Sequence, residues 1–146
     1  MELDGILREG VGREASDIHL KVGAAPIFRV SGRLVPWEGQ PPLARDDMNR
    51  LCESLLSDFH RQRLREALQV DIGYGHPELG RFRVNVFFQR GEPQAALRLV
   101  PARVRDIQEL KLPPVVERIA AERRGLVLVT GTTGSGKPAN GPRAAR

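Results

Sequence analysis

Arg81-Phe82-Arg83-Val84-Asn85-Val86-Phe87-Phe88-Gln89-Arg90 is the stretch that decides how the chain folds. Phe82, Val84, Val86 and Phe88 alternate with Arg81, Arg83 and Asn85, the period-two pattern of a strand with one buried and one wet face. Gly91-Glu92-Pro93 reads as a hairpin loop, and in the returning strand Leu97 and Leu99 flank Arg98. With both apolar sets on one core, Arg98 projects on the side of Arg81 and Arg83. The sheet is expected to have a basic outer face.

Upstream, Val70, Ile72 and Tyr74 alternate again, and Gly75 to Gly80 turns the chain. Met48, Leu51, Cys52, Leu55 and Leu56 form a helical stripe, with Asp46 or Asp47 expected as its N-cap. Ser57 and Asp58 restart a second helix with Phe59, Leu64, Ala67 and Leu68 inward and Arg61, Arg63 and Arg65 on a solvated face. At the N-terminus, Leu3, Ile6, Leu7 and Val11 have helical spacing, which Gly10 and Gly12 weaken and then end. Ile18, Leu20 and Val22 then alternate with Asp17, His19 and Lys21, and Phe28 and Val30 lead to a tight turn at Ser31-Gly32 and a return strand from Arg33. Pro36, Gly39, Pro41 and Pro42 mark a connector in which Trp37, like Phe87 in the basic strand, is a candidate exposed aromatic.

Beyond residue 100 a connector runs to Leu112, and Pro113-Pro114 opens a helix with Val115, Val116, Ile119 and Ala120 as its packing stripe. The order of elements predicts an α+β domain over residues 1–100 and a linker over 101–113. The first pieces of an α/β nucleotide-binding domain follow over 114–137, with a structureless tail over 138–146.

The 146 residues carry a net charge of +5. Six arginines between Arg81 and Arg105, set against the single acid Glu92, account for all of it. Such a patch suits nucleotide phosphates, nucleic acid or acidic membrane surfaces. One cysteine, Cys52, excludes an internal disulfide and any multi-cysteine metal site. No apolar run approaches the roughly 20 residues of a membrane span, and the N-terminus lacks the basic start of a secretory signal, so a soluble cytosolic chain is expected.

The apolar run Leu126 to Val129 leads into Gly131-Thr132-Thr133-Gly134-Ser135-Gly136-Lys137, with the G-x-x-x-x-G-K spacing of a phosphate-binding loop. Its glycines let successive backbone N–H groups converge on phosphate oxygens, and Lys137 adds a point charge. Pro138 stands where the pattern calls for a magnesium-binding Ser or Thr. Proline has neither the hydroxyl nor the backbone N–H, and it disfavours helix at Lys137. No acidic strand end follows to hold a metal. The chain is therefore expected to have no catalytic residues of its own, no metal site and at most weak contact with nucleotide. Asp17 and His19 share a strand face without a third group to complete a catalytic or metal site, so a structural hydrogen-bonding role is expected for His19.

Ala15-Ser16-Asp17-Ile18-His19-Leu20, Arg81-Phe82-Arg83-Val84-Asn85, Arg98 shortly before Pro101, and Arg124 through Lys137 stand in the order and spacing of one family. Over residues 1–137 the chain resembles the N-terminal part of the PilT-like twitching-motility ATPases, of the type II and type IV secretion ATPase superfamily. The resemblance implies a PAS-like N-terminal domain joined by a linker to a RecA-like core that uses ATP and magnesium. It implies a cytoplasmic hexamer, peripheral to the inner membrane, that works with the type IV pilus machinery in retraction. It also implies that Arg81, Arg83 and Arg98 reach the nucleotide phosphates when the domains close. On that basis the chain is an interaction or regulatory domain. The alternative is a stand-alone PAS-like module binding nucleotide or nucleic acid through the basic hairpin. The absence of an aromatic ladder on that face argues against nucleic acid.

Overall fold

The computed structural model describes residues 1–100, 107, 109, 112–122, 124–128 and 130. The chain divides into two compact units, Met1–Pro101 and Ala102–Arg146. In the first, helix α1 (Leu3–Gly12) precedes strands β1 (Asp17–Lys21), β2 (Ile27–Val30) and β3 (Arg33–Pro36). Helices α2 (Arg45–Leu55) and α3 (Asp58–Ala67) come next, then strands β4 (Gln69–His76), β5 (Gly80–Gln89) and β6 (Glu92–Val100). In the second unit the described residues include one short helix, α4 (Pro114–Ala120).

The six strands form a single antiparallel sheet in the order β3-β2-β1-β6-β5-β4. The first three strands of the chain and the last three are each a meander, and β1 pairs with β6 to join them. One face bears Ile18, Leu20, Phe28, Val70, Ile72, Phe82, Val84, Val86, Ala95 and Leu97, all buried. Ile6, Leu7, Met48, Leu51, Leu55 and Leu64 from the three helices close over it. Fully burying a side chain such as Phe28 or Phe82 is worth roughly 1.5–3 kcal/mol, so this face supplies most of the driving force. Cys52 belongs to the same layer, where burial pushes its thiol pKa up to about 11.

Both tight hairpin loops have two residues in the left-handed region, Ser31 (φ 48°) with Gly32 (φ 82°) and Arg90 (φ 53°) with Gly91 (φ 78°). This geometry matches the twist of the flanking strands. The second loop corrects the expected boundary: the turn is Arg90-Gly91, and Glu92 and Pro93 already belong to β6, opposite Gln89 and Phe88.

Several side chains depart from their expected places. Phe59 (64 % exposed) and Leu68 (60 %) do not face the core. Phe59 lies in the first turn of α3, and Leu68 is its left-handed C-cap (φ 58°), which takes the residue off the helical stripe. Phe88, at the end of β5, is partly open to solvent. Trp37 instead packs on the core, its ring 5.8 Å from Phe28. The cap of α2 is Ala44, whose N–H donates to Asp47 Oδ2 at 2.9 Å, so Asp47 satisfies the helix start from inside the first turn. Arg61 is held by Asp58 at 3.2 Å. In the second unit none of the α4 residues is buried, and Leu126–Leu128 belong to no strand, because no ladder partner exists for them among the described residues.

Gly10 does not interrupt α1, which runs on to Gly12. It is buried, and a Cβ there would lie 2.6 Å from Ile18 Cδ1 and 3.4 Å from the Phe28 ring, so its missing side chain lets α1 sit close on β1 and β2. Gly5, on the exposed side, has nothing within 4 Å of that position. Replacing Gly10 by Val should cost about 1–3 kcal/mol through overpacking. Gly5→Ala should gain about 0.5–1 kcal/mol from helix propensity. Urea unfolding midpoints of the two variants measure this, and a Gly10→Val midpoint equal to that of the parent would refute the close packing.

Candidate functional site

The outer face of the sheet gathers the charges that the strand alternation sends away from the core. β1 supplies Asp17, His19 and Lys21, β2 supplies Arg29, β5 supplies Arg81, Arg83 and Asn85, β6 supplies Arg98, and β4 supplies Asp71. The register lines four of these across neighbouring strands: Arg29 faces Asp17, Asp17 faces Arg98, and Arg98 faces Arg83. His19, Ala96, Asn85 and Asp71 form the adjacent row. Arg81 lies two residues on, opposite Val100. The three arginines singled out in the sequence therefore occupy one face, as their alternation required.

Arg83 and Arg98 are direct cross-strand neighbours of like charge, an arrangement that destabilises a sheet unless something offsets it. The offset comes from either side. Asp17 accepts from Arg98 Nε at 2.8 Å, and Asp71 lies 3.6 Å from Arg83 Nε. The two pairs differ in kind. Asp71 and Arg83 are both exposed, so their contact contributes little. Asp17 is the one buried charged residue among the described residues. Its Oδ2 accepts from the Ser16 hydroxyl at 2.9 Å and faces Arg29 Nε at 3.3 Å. Burial raises its pKa, but the hydrogen bonds from Arg98 and Ser16 and the charges of Arg98 and Arg29 together hold it below the usual carboxylate range.

Between these groups lie two shallow hollows that share Asp71 and Arg83. One, of about 160 Å³, is lined by Asp17, Asn85, Ala96 and Arg98 as well. The other, of about 310 Å³, adds Gly73, Arg81, Phe82 and Val100. The small residues Ala96 and Gly73 line one hollow each, with arginines beside them. An open hollow with planar guanidinium groups around it can bind an oxyanion bidentately. Arg81 has no hydrogen bond or ion pair among the described residues and is exposed, so its donors are free for a ligand.

Arg29 and Asp71 were not recognisable as site residues, and Asp17 was weighed only beside His19, because the pairing with the arginines depends on strand register. Asp17 and Arg98 are 81 positions apart, and only the β1–β6 pairing brings them together. His19 Nε2 is buried and makes no hydrogen bond among the described residues, so the expected hydrogen-bonding role is not seen. Burial lowers its pKa, and the charges of Arg29 and Arg98 lower it further against the opposing effect of Asp17. No group of three or more His, Cys, Asp or Glu residues among the described residues is placed to hold a metal. Gly131 to Lys137, and Pro138 after them, lie outside the described residues.

No protein-family model matches the chain. The type IV pilus retraction ATPase PilT of Pseudomonas aeruginosa is 37% identical over 137 residues, covering 94% of this chain and 40% of the relative. A twitching motility protein of Neisseria gonorrhoeae is 38% identical over 112 residues, 77% of this chain and 30% of the relative. The crystal structure of the pilus retraction motor PilT with bound ADP superposes with a TM-score of 0.83 at 42% identity, covering 96% of this chain and 41% of that one. Over this shared region the chain is similar to the PilT-like ATPases. The DotB ATPase of Legionella pneumophila has the same fold at greater distance, with a TM-score of 0.76 and 28% identity over 94% of this chain and 39% of that one. The PilT-like chain thus spans between 30% and 41% of the length of these relatives. Its antiparallel sheet corresponds to the N-terminal domain of PilT and DotB ATPases, and the relatives do not favour a stand-alone nucleic-acid module. No helix among the described residues is long and apolar enough to cross a membrane.

The buried carboxylate gives this PilT-like sheet a pH signature. A depressed carboxyl adds stability above its unfolded pKa near ~3.9, and that stability is lost as the pH falls through the folded value. Asp17→Asn should therefore cost about 1 kcal/mol at neutral pH. In acid below the carboxylate range it should cost nothing. Urea titrations in the two conditions measure the difference, and an equal cost in both would show that the charge of Asp17 is not what stabilises the fold.

Proposed function

We propose that this chain is the N-terminal region of a type IV pilus retraction ATPase and that its outer sheet face meets the phosphates of ATP. The observation that carries this reading is the cross-strand pair Arg83–Arg98 with Arg81 beside it, three exposed arginines along two adjoining hollows that share Arg83, in a chain similar to PilT. Asp17 and Asp71 offset the repulsion of this pair only in part, and an anion between the two arginines would offset the rest. Residues 1–100 would be the PAS-like domain, 101–113 a linker and 114–137 the start of the RecA-like core. Gly131, Thr132, Thr133, Gly134, Ser135, Gly136 and Lys137 would contact phosphate from that second side.

In the working protein the arginines would close over the nucleotide from the N-terminal side, within a cytoplasmic hexamer peripheral to the inner membrane and engaged with the pilus machinery. Magnesium would require the hydroxyl that Pro138 replaces. The chain in its present sequence is therefore an interaction or regulatory piece, without hydrolytic activity of its own.

Calorimetric titration of the chain with ATP tests the phosphate-facing role. Alanine at Arg83 or Arg98 should each weaken binding about tenfold, in line with the loss of one charged hydrogen-bonding group. Binding should also weaken as salt is raised, since the face is open to solvent. A triple Arg81/Arg83/Arg98 alanine variant that binds ATP like the parent would sink the assignment. A separate phosphate-release assay with magnesium and ATP should read no turnover, and turnover above background would overturn the inactive reading.

A further inference from the structure

Resting on the phosphate-facing reading, we propose that Asp17 is a positioning residue that holds Arg98 ready for an anionic ligand by its inner edge. A guanidinium group has two usable edges. Asp17 Oδ1 engages Arg98 only through Nε, at 2.8 Å, and the Arg98 side chain is 70 % exposed. The terminal amines make no hydrogen bond among the described residues, and Arg98 lines the hollow shared with Arg83. Arg29, from the opposite neighbouring strand, meets the same carboxylate through its own Nε at 3.3 Å, and its terminal amine donates to Gly32 O at 3.3 Å. The Ser16 hydroxyl fixes the remaining oxygen. Asp17 is itself rigid, being buried in a central strand that is paired on both sides.

The contrast with Arg83 and Arg81 defines the role. Arg83 touches only the exposed Asp71, at 3.6 Å, and Arg81 has no partner among the described residues. Those two must be ordered when a ligand arrives, at a cost in rotamer freedom that Arg98 has largely met during folding. Arg98 is the fixed member of the set, and its neighbours close around what it holds. The arrangement also depends on arginine itself. A lysine ammonium is a single point and either pairs with Asp17 or reaches the anion.

The sign of the effect separates positioning from simple charge balance. Removing the Asp17 charge makes the face more basic, so electrostatics alone predicts tighter anion binding by both Asp17→Ala and Asp17→Asn. Positioning predicts that they diverge, because an amide oxygen still accepts from Nε and a methyl group does not. The probe is inorganic tripolyphosphate, titrated into the full chain by calorimetry. Asp17→Ala should weaken binding about three- to tenfold. Asp17→Asn should match the parent or exceed it, and Arg98→Lys should fall to the level of Arg98→Ala. In an Arg98→Ala background, Asp17→Ala should add no further loss, which a merely structural role would not produce.

Equal or tighter binding by Asp17→Ala, or parent-like binding by Arg98→Lys, overturns the proposal. If Asp17→Ala does not fold, Arg98→Lys at its exposed position decides alone. Arg98→Ala binding like the parent defeats the phosphate-facing reading and this inference with it. Dependence on Arg98 without dependence on Asp17 defeats this inference only.

Discussion

The pairing of β1 with β6 is the constraint on which the first unit depends. It joins residues 17–21 to residues 94–98 and turns two three-stranded meanders into one sheet. Neither meander alone presents enough apolar surface to hold three helices. Together they align Ile18 and Leu20 with Leu97 and Ala95 at the centre of the core. α1 lies against β1 and α2 against β6, so the two sides of the seam are also bridged by the helical layer. The hydrogen bond from Leu99 N to Ser16 O at 3.2 Å carries the pairing one step past the regular ladder. Contacts so distant in sequence form late and at high loop-closure cost, so this joint couples folding to the arrival of the last strand.

Its chemical consequence is on the other face. The same register that buries Ile18 beside Leu97 sets Asp17 beside Arg98, and the hairpin registers on either side add Arg29 and Arg83. Core and site are two faces of one set of pairings. A one-residue slip would exchange them, sending the arginines into the apolar layer. The ionic row is thereby pinned chiefly by hydrophobic burial, with the pairs around Asp17 adding a smaller share.

What could be read from the sequence follows this division. Alternation assigned Arg81, Arg83 and Arg98 to one face, and helical spacing found the four buried residues of α2 and its buried C-cap Leu56, because a local period is written into consecutive residues. Register is not local, so the partners Asp17, Arg29 and Asp71 stayed hidden until the strands were paired. Local propensity was overridden at particular places. Gly10 looked like a helix breaker and proved to be a close-packing position, since the space it leaves is taken by Ile18 and Phe28 from other strands. Leu68 looked like part of a stripe and proved to be a left-handed cap. The hairpin loop was placed one residue late because Gly91 is the second turn residue and Arg90 is the first. The phosphate-binding loop read from spacing lies outside the described residues, and its part in the site is proposed from its sequence pattern.

Arg83 opposite Arg98 has a further meaning for how such a domain evolves. Two like charges held face to face are a standing tax on the empty domain, lifted in part by Asp17 and Asp71. Selection for thermal endurance alone would replace one of them with a neutral residue and gain by it. On the proposed reading, a chain that keeps both trades resistance to heat for responsiveness: the empty face is primed, and a bound anion would bring it to rest.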